Sequence, residues 1–325
     1  MPGSMGEQNS LYELQHYVVG LSPQGLTLDQ NGRLDIDKSF VRVNYFQLLH
    51  DQTVRSNVQA KVGNRPVDLV ATRIDARAFR NLLVAGEKVE NDPVWLYHSE
   101  DKQALILWRV GPDGQKSYRY VPISNLTEDA AGRMTWQACA PVPGLPLKYL
   151  EDPKLAVPPS DRAAWLTSWH TEREWMAATH RATYSNAVIG LVEQQTHHEN
   201  NPRTETADER LMLRFRERQR RLTEADLLIL ANDHWNFDVR GFNPGGNHGS
   251  YFRVSTNSTL MFAGGAKTRI PRGLTVTEPY DSLDFVPTVL TLMGKVDDEN
   301  RPKSELAKKG FLPFPGRVIK EVTGR

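Results

Sequence analysis

The sequence predicts an α/β fold with a mainly parallel sheet flanked by helices, and three segments of its second half carry that prediction. An apolar run at 227–230 is bounded by turn residues, which is typical of a buried strand. A second strand is predicted at 259–263. A helix is predicted from Ser282 to Met293, with its buried face formed by the apolar residues at helical spacing, Val286, Val289, Leu290 and Met293.

Further helices are predicted before the first of these strands. One begins at Asp161, and another runs from about Tyr184 to Gln195. The tryptophans of this region are interpreted as core packing, with a base-stacking surface as the alternative: Trp165, Trp169 and Trp175. A charged helix at 209–221 is interpreted as an exposed helix with i, i+4 ion pairs, and an anion-binding face is the alternative.

The first half of the chain predicts a small antiparallel β unit at 94–140 inside the α/β fold. Its runs are rich in β-branched and aromatic residues, and Gly111-Pro112-Asp113-Gly114 is a strong hairpin signal. Residues 1–93 are interpreted as a partial α/β segment. The proline-rich residues 141–160 predict a linker or a long ordered loop. Residues 161–325 then form the α/β segment that carries the candidate metal site.

The composition is that of an ordinary globular protein. The 325 residues have a net charge of +1, which gives no reason to expect nucleic acid or an anionic membrane as a partner. No apolar run approaches the ~20 residues needed to span a bilayer. No signal-peptide pattern opens the chain, and the compartment stays open between cytoplasmic and exported. Cys139 is the only cysteine, which excludes an intrachain disulfide, and it is interpreted as a small buried apolar residue.

The residues best suited to chemistry lie between Ala225 and Ser250. Asp233 and His234 follow the predicted strand, and His248 lies on a loop rich in glycine and asparagine. Carboxylate and imidazole groups are ligands that divalent metals take in proteins. We therefore expect Asp233, His234 and His248 to converge on a metal site. Phosphate binding by a P-loop and an α/β-hydrolase nucleophile elbow are excluded, because neither motif occurs.

In their order along the chain, these motifs resemble the C-terminal half of the alkaline phosphatase superfamily. The matching pieces are Asp233-His234, Gly246-Asn247-His248-Gly249, and the stretches 258–265 and 282–294. Residues 94–120 and 179–187 resemble the type I phosphodiesterase or nucleotide pyrophosphatase-like branch. The resemblance covers the last half of the chain well and the first half weakly. It implies an alkaline-phosphatase-like fold, with the 94–140 unit as an insertion near the substrate pocket.

The same resemblance implies a metal-dependent phosphodiesterase or phosphatase-like hydrolase, or a sulfatase, that acts on small phosphate or sulfate esters. Asp233 and His234 would serve one or both of two metal ions, and His248 the other. Zinc is expected, with manganese or magnesium as alternatives.

One feature of the superfamily is not found in this sequence. Its members open with an apolar strand that ends in aspartate and is followed by a Thr or Ser nucleophile, and nothing in residues 1–93 matches. The sequence thus predicts a hydrolase segment that lacks the nucleophile strand, whose partner would be a missing N-terminal segment of the same protein. A catalytically inactive, phosphatase-like binding module is the alternative.

Overall fold

The structure is a computed structural model, and it describes the greater part of the chain from residue 67 onward. The described residues are 29–31, 67–76, 83–84, 87–112, 114–128, 130, 134–196, 207–223, 225, 227–231, 250–314 and 316–324. Contacts divide the chain into two compact units, 1–70 with 229–250 and 71–228 with 251–325. Most of the described residues belong to the second unit.

Antiparallel β-structure dominates the described residues. The strands are β1 (Val67–Arg73), β2 (Leu83–Val84), β3 (Glu87–Lys88), β4 (Val94–Ser99), β5 (Lys102–Val110), β6 (Lys116–Glu128), β7 (Met134–Ala138), β8 (His170–Thr171) and β9 (Leu227–Ala231). Seven of them form one sheet in the order β7-β6-β5-β4-β1-β9, with β8 paired to β6. The short strands β2 and β3 pair separately.

The predicted mainly parallel, alkaline-phosphatase-like sheet is therefore wrong, since the seven strands are all antiparallel. The connections give the physical reason. β4 passes to β5 through residues 100–101 alone, and β5 passes to β6 through 111–115. Connections of this length join antiparallel neighbours, whereas parallel neighbours need a crossover of a dozen or more residues. The pairing of Leu105 with both Trp95 and Val121 places β5 between β4 and β6.

The centre of the sheet is buried on both faces. Every residue from Gln103 to Trp108 in β5 is buried, and so is every residue from Val94 to Tyr97 in β4. Two helices pack near these strands, α2 (Glu172–Thr179) against β6 and α3 (Ala187–Gln195) against β4, β5 and β6. Trp175 of α2 is completely buried and its indole Nε1 donates to the carbonyl oxygen of Tyr118 at 3.1 Å. The core thus lies between this sheet and α2 and α3.

The other helices of the described residues are mostly short. They are α1 (Arg162–Leu166), α4 (Ala207–Thr223), α5 (Arg253–Thr256), α6 (Phe285–Leu292), α7 (Ser304–Lys308) and α8 (Lys320–Thr323), with 3₁₀ turns at Ala266–Thr268 and Ser282–Asp284. No helix within the described ranges has both the length and the apolar character that a bilayer crossing requires.

The proline-rich stretch is a long ordered loop, the second of the two alternatives for residues 141–160. Leu145, Leu147 and Tyr149 are buried in it. Buried Asp152 fixes the loop, because its carboxylate oxygens accept hydrogen bonds from the backbone N–H of Lys154 at 2.8 Å and of Thr183 at 2.6 Å. The loop is thereby tied to the segment that precedes α3.

The C-terminal part corrects two further predictions. Residues 259–263 form no strand. Helix α6 exists, but Val286 and Met293 are 46% and 62% exposed, so the predicted apolar face is not the buried one. Thr288 and Thr291 are buried instead, each donating its hydroxyl to the carbonyl oxygen four residues earlier. These hydrogen bonds offset the cost of burying a hydroxyl group, so threonine can occupy the buried face. A prediction from apolar periodicity counts threonine as polar and therefore misses that face.

Candidate functional site

The three predicted metal ligands, Asp233, His234 and His248, lie outside the described residues. The structure does describe the strand that leads to the first two, because β9 covers the predicted apolar run and ends at Ala231. It also describes the chain again from Ser250, directly after the Gly-Asn-His-Gly loop. The segments on either side of the predicted ligands can therefore be described.

The segment after the loop is held by backbone hydrogen bonds to residues 183–185. Ser185 donates its N–H to the carbonyl oxygen of Tyr251 at 3.0 Å, and Arg253 donates to that of Thr183 at 2.8 Å. Tyr184 and Phe252 form an isolated antiparallel bridge. Residues 183–185, which belong to the 179–187 stretch of the family resemblance, are thus neighbours in space of residues 251–253, which follow the Gly-Asn-His-Gly loop.

Tyr251 packs its ring directly onto α3. A Cβ atom built on Gly190 of α3 would lie 2.5 Å from Cε1 of Tyr251, so the absence of a side chain at Gly190 makes room for the ring. The Tyr251 hydroxyl oxygen is buried and has no hydrogen-bond partner among the described residues. Burial, and secondarily the negative charge of Glu193, raise the pKa of this hydroxyl. Tyr251 is therefore a neutral phenol that anchors one end of the candidate loop.

The residue after Tyr184, Ser185, belongs to a network of hydrogen bonds between polar groups. Ser185 is buried, and its hydroxyl lies 3.2 Å from Oδ1 of Asn257 and 3.3 Å from the carbonyl oxygen of His180. The amide of Asn257 also donates to that carbonyl oxygen, at 2.8 Å. No imidazole or carboxylate accepts the proton of Ser185 in these bonds. Among the described residues, Ser185 consequently has no neighbouring general base of the kind that activates a serine nucleophile.

Three charged side chains gather where α2 and α3 approach β6: Glu172, Glu193 and Lys116. The Lys116 amine lies 3.5 Å from a carboxylate oxygen of Glu193. Burial, and then the charge of Glu193, raise the pKa of Glu172, while Lys116 acts in the opposite sense. Glu172 stands at the first position of α2, where the helix dipole favours a charged carboxylate, and desolvation outweighs that effect. This acidic cluster can store a proton, and it makes the stability of the fold sensitive to pH.

No metal centre emerges from the part of the chain that the structure describes. That part contains no group of three or more His, Cys, Asp or Glu side chains placed to hold a metal ion. His170 stacks on Trp165 with ring centroids 4.1 Å apart, and its Nε2 lies 2.9 Å from the carbonyl oxygen of Trp165. His180 Nδ1 lies 3.0 Å from the carbonyl oxygen of Ala177.

Cys139 is exposed, so its interpretation as a buried residue is wrong. It follows β7 at the end of a strand whose last residues face solvent, and for that reason the apolar character of the side chain did not place it in the core. Partial desolvation raises the pKa of its thiol, which lowers the thiolate fraction and hence the reactivity.

A pocket on the β sheet was missed by the sequence analysis. Its volume is about 300 Å³, and Trp108, Arg109 and Trp169 contribute to its lining. The guanidinium of Arg109 lies 4.2 Å from the centroid of a Trp169 ring. Trp169 is distant in sequence from Trp108 and Arg109, and the three share no motif, so only the positive or aromatic character of each side chain could have marked them.

Comparison of the chain with models of known protein families, with curated proteins and with solved structures gave no match. The resemblance to the alkaline phosphatase superfamily therefore rests on the motifs of the sequence alone.

Proposed function

We propose that this chain holds the divalent-metal site of a hydrolase of small phosphate or sulfate esters, without an identified nucleophile of its own. The observation that carries the proposal is the sequence of ligand types directly after β9: Asp233 and His234 follow the strand, and His248 lies on the Gly-Asn-His-Gly loop. A strand end and a loop of small residues are the usual positions from which a rigid sheet presents side chains to a ligand.

The donor set fits zinc. One carboxylate and two imidazoles make three protein ligands, which is the number found in catalytic zinc sites that keep a position open for water or substrate. Bound there, the metal would polarise a phosphoryl or sulfuryl oxygen and lower the pKa of a water molecule. Manganese and magnesium are the alternatives, and they favour sites with more oxygen ligands.

The described residues support the proposal through the segment that follows His248. Tyr251 is fixed by its backbone bond to Ser185 and by the contact of its ring with Gly190. A loop whose end is fixed loses less conformational entropy when it binds a metal than a loop whose end is free. The contacts of Tyr251 thus favour metal binding by His248.

Metal binding by individual ligands is the direct test. The metal-free chain is titrated with zinc and the binding is followed by isothermal titration calorimetry. Asp233→Asn and His248→Gln are each expected to weaken zinc binding by about 10-fold or more. A tenfold loss corresponds to the removal of a ligand contact worth ~1.4 kcal/mol. His180→Gln is the matched control, since this histidine bonds to a backbone carbonyl and is predicted to leave zinc affinity unchanged. Equal zinc affinity in the Asp233 and His248 variants and the wild type would refute the proposal.

Turnover is tested separately with chromogenic phosphate mono- and diesters and added zinc, manganese or magnesium. The sequence supplies no identified Ser or Thr nucleophile, and the hydroxyl of buried Ser185 bonds to an amide oxygen and a backbone carbonyl oxygen among the described residues, neither of which is a general base. We therefore expect negligible hydrolysis by this chain. Robust hydrolysis that Asp233→Ala abolishes would mean that a nucleophile exists within these residues.

The alternative function is a binding module without turnover. The pocket beside Arg109 and Trp169 favours it, since a preformed cavity with an aromatic wall and a cation binds ligands without catalytic groups. Zinc binding without ester hydrolysis would agree with both functions. If the chain bound no zinc but did bind a ligand in the pocket, only the binding module would remain.

A further inference from the structure

The pocket on the β sheet combines a fixed frame with two charged groups of opposite sign. It holds about 300 Å³, the space of on the order of ten water molecules at ~30 Å³ each. The residues used in the argument that follows are Glu90, Asn91, Leu107, Trp108, Arg109 and Trp169. All of them belong to the second compact unit.

The frame of the pocket is held by bonds between the segment before β4 and β5. The side-chain amide of Asn91 donates to the carbonyl oxygen of Trp108 at 3.1 Å, and the indole Nε1 of Trp108 donates to the carbonyl oxygen of Asp92 at 2.9 Å. Asp92 in turn accepts a hydrogen bond from the backbone N–H of Ala76 at 2.8 Å. These bonds hold the segment that contains Glu90 against β5, which contains Arg109, and both residues line one cavity.

Arg109 is placed to bind an anion. Its guanidinium carbon lies over the Trp169 ring, 4.2 Å from the ring centroid, which is the distance of a cation–π contact. A guanidinium has five N–H donors and can bind a carboxylate in a bidentate manner. Among the described residues, no carboxylate forms an ion pair with Arg109.

The other lining residues indicate which further chemical groups suit the ligand. Leu107 and Trp108 are nearly fully buried and give the cavity an apolar part that suits a flat hydrocarbon or aromatic group. Glu90 is exposed at the same cavity and forms no ion pair with Arg109. Its negative charge disfavours a ligand with more than one negative charge and favours a ligand that also carries a positive group.

We propose that this pocket binds a small aromatic zwitterion, an α-amino acid with an aromatic side chain. Arg109 binds the carboxylate, Glu90 binds the ammonium group, and the ring lies against Leu107, Trp108 and Trp169. The site is independent of the proposed metal centre, since none of its residues belongs to the Asp233 to His248 stretch. Failure of the ester hydrolysis test leaves this inference unaffected.

The experiment is a titration of the full chain, labelled with ¹⁵N, with L-phenylalanine as the probe. The readout is the indole N–H signals of the 7 tryptophans, of which Trp108 and Trp169 line the pocket. Binding is expected to shift these two signals saturably. Arg109→Gln and Glu90→Gln should each weaken binding by about tenfold or more, the effect of losing a hydrogen bond to a charged group.

Two probes that each lack one charge complete the test. Phenylacetate has the ring and the carboxylate, and phenethylamine has the ring and the ammonium group, and each should bind about tenfold or more weaker than L-phenylalanine. Arg181→Gln, a change of an exposed arginine outside the pocket, is the matched control and should leave the affinity unchanged. Trp169→Leu keeps an apolar wall and removes the cation–π partner of Arg109, so it should also weaken binding.

Three results would overturn the proposal. The first is the absence of any saturable shift at high millimolar L-phenylalanine. The second is equal binding of phenylacetate and L-phenylalanine, which would show that Glu90 recognises no ammonium group. The third is unchanged affinity in Arg109→Gln, with folding of each variant verified by an unaltered pattern of the other amide signals.

Discussion

The contact between Gly190 and Tyr251 offers a quantitative test of the structure beside the candidate metal loop. In Gly190→Ala, the new Cβ atom would lie 2.5 Å from Cε1 and 3.3 Å from Cζ of Tyr251. Carbon atoms pack at about 3.5–4.0 Å, so the ring must move by roughly 1 Å. The ring is buried, and the backbone of Tyr251 is bonded to Ser185, which restricts that movement.

Two effects of opposite sign act in this variant. Overpacking of a buried site costs about 1–3 kcal/mol. Replacing glycine by alanine inside a helix stabilises it by about 1 kcal/mol. The single variant is therefore expected to lose roughly 0–2 kcal/mol of unfolding free energy. In the Tyr251→Ala background the clash is gone, and Gly190→Ala should instead stabilise the protein by about 1 kcal/mol.

The measured quantity is the coupling free energy of the double-mutant cycle, from urea unfolding followed by circular dichroism. We expect a coupling of about 1–3 kcal/mol, the overpacking cost alone. Gln194→Ala, an exposed change on the same helix, is the control and should be additive with Tyr251→Ala. A Gly190–Tyr251 coupling within about 0.5 kcal/mol of zero would refute the contact, because distant sites are additive within that range.

Three further predictions concern buried polar groups. Asp152→Ala should lower the unfolding free energy by about 1–3 kcal/mol for each backbone N–H left without an acceptor, measured by urea unfolding, and an unchanged midpoint would contradict the structure. Thr288→Val should lower the unfolding free energy by about 1–3 kcal/mol, because the N–H of Ile319 loses its acceptor. Val286→Asp should change the melting temperature little, since Val286 is 46% exposed. A larger loss of stability in Val286→Asp than in Thr288→Val would show that α6 buries its other face. A raised folded-state pKa means that the folded protein binds the Glu172 proton more tightly, so the contribution of Glu172 to stability is present at low pH and falls as pH rises above 4.5 through that pKa. Glu172→Gln should therefore be more stable relative to wild type at neutral pH than at pH 4, and a difference independent of pH would contradict the shift.

The parts of the fold that the sequence predicts well depend on local chemistry. The hairpin between β5 and β6 was predicted from its Gly-Pro-Asp-Gly turn, and Gly114 does adopt a φ of 78°, which an L-residue rarely takes. The strand β9 and the charged helix α4 were also predicted from composition and periodicity, but the predicted burial of β9 is wrong, since Ile229 is 40% exposed and the rest of the strand is half-buried. Each of these signals lies within the element that it specifies.

The wrong predictions concern which face of a helix is buried and which strands pair. The apolar periodicity of α6 is real, but the buried face is decided by hydroxyl bonds such as the one from the N–H of Ile319 to Thr288 at 2.9 Å. Strand direction is decided by how the connections pair the strands, and a parallel arrangement was inferred only from the order of elements in the last third of the chain. The pocket unites Glu90, Arg109 and Trp169, which no sequence window contains together.

Polar contacts help to position the C-terminal segment of the second unit, together with buried apolar residues such as Val296 and Ile319. The carboxylate of buried Asp284 accepts the backbone N–H of Arg317 at 2.6 Å, and the amide of Asn300 donates to the carbonyl oxygen of Gly316 at 3.1 Å. Hydrogen bonds of this kind contribute only about 1 kcal/mol each to net stability, but removal of one partner leaves a buried group unsatisfied at greater cost. Because they act only at one distance and direction, such bonds restrict the positions of Gly316 and Arg317, while Phe285 and Val286 of α6 stay exposed. A stretch that appears hydrophobic by sequence can therefore be held in place by its threonines, its asparagine and its aspartate.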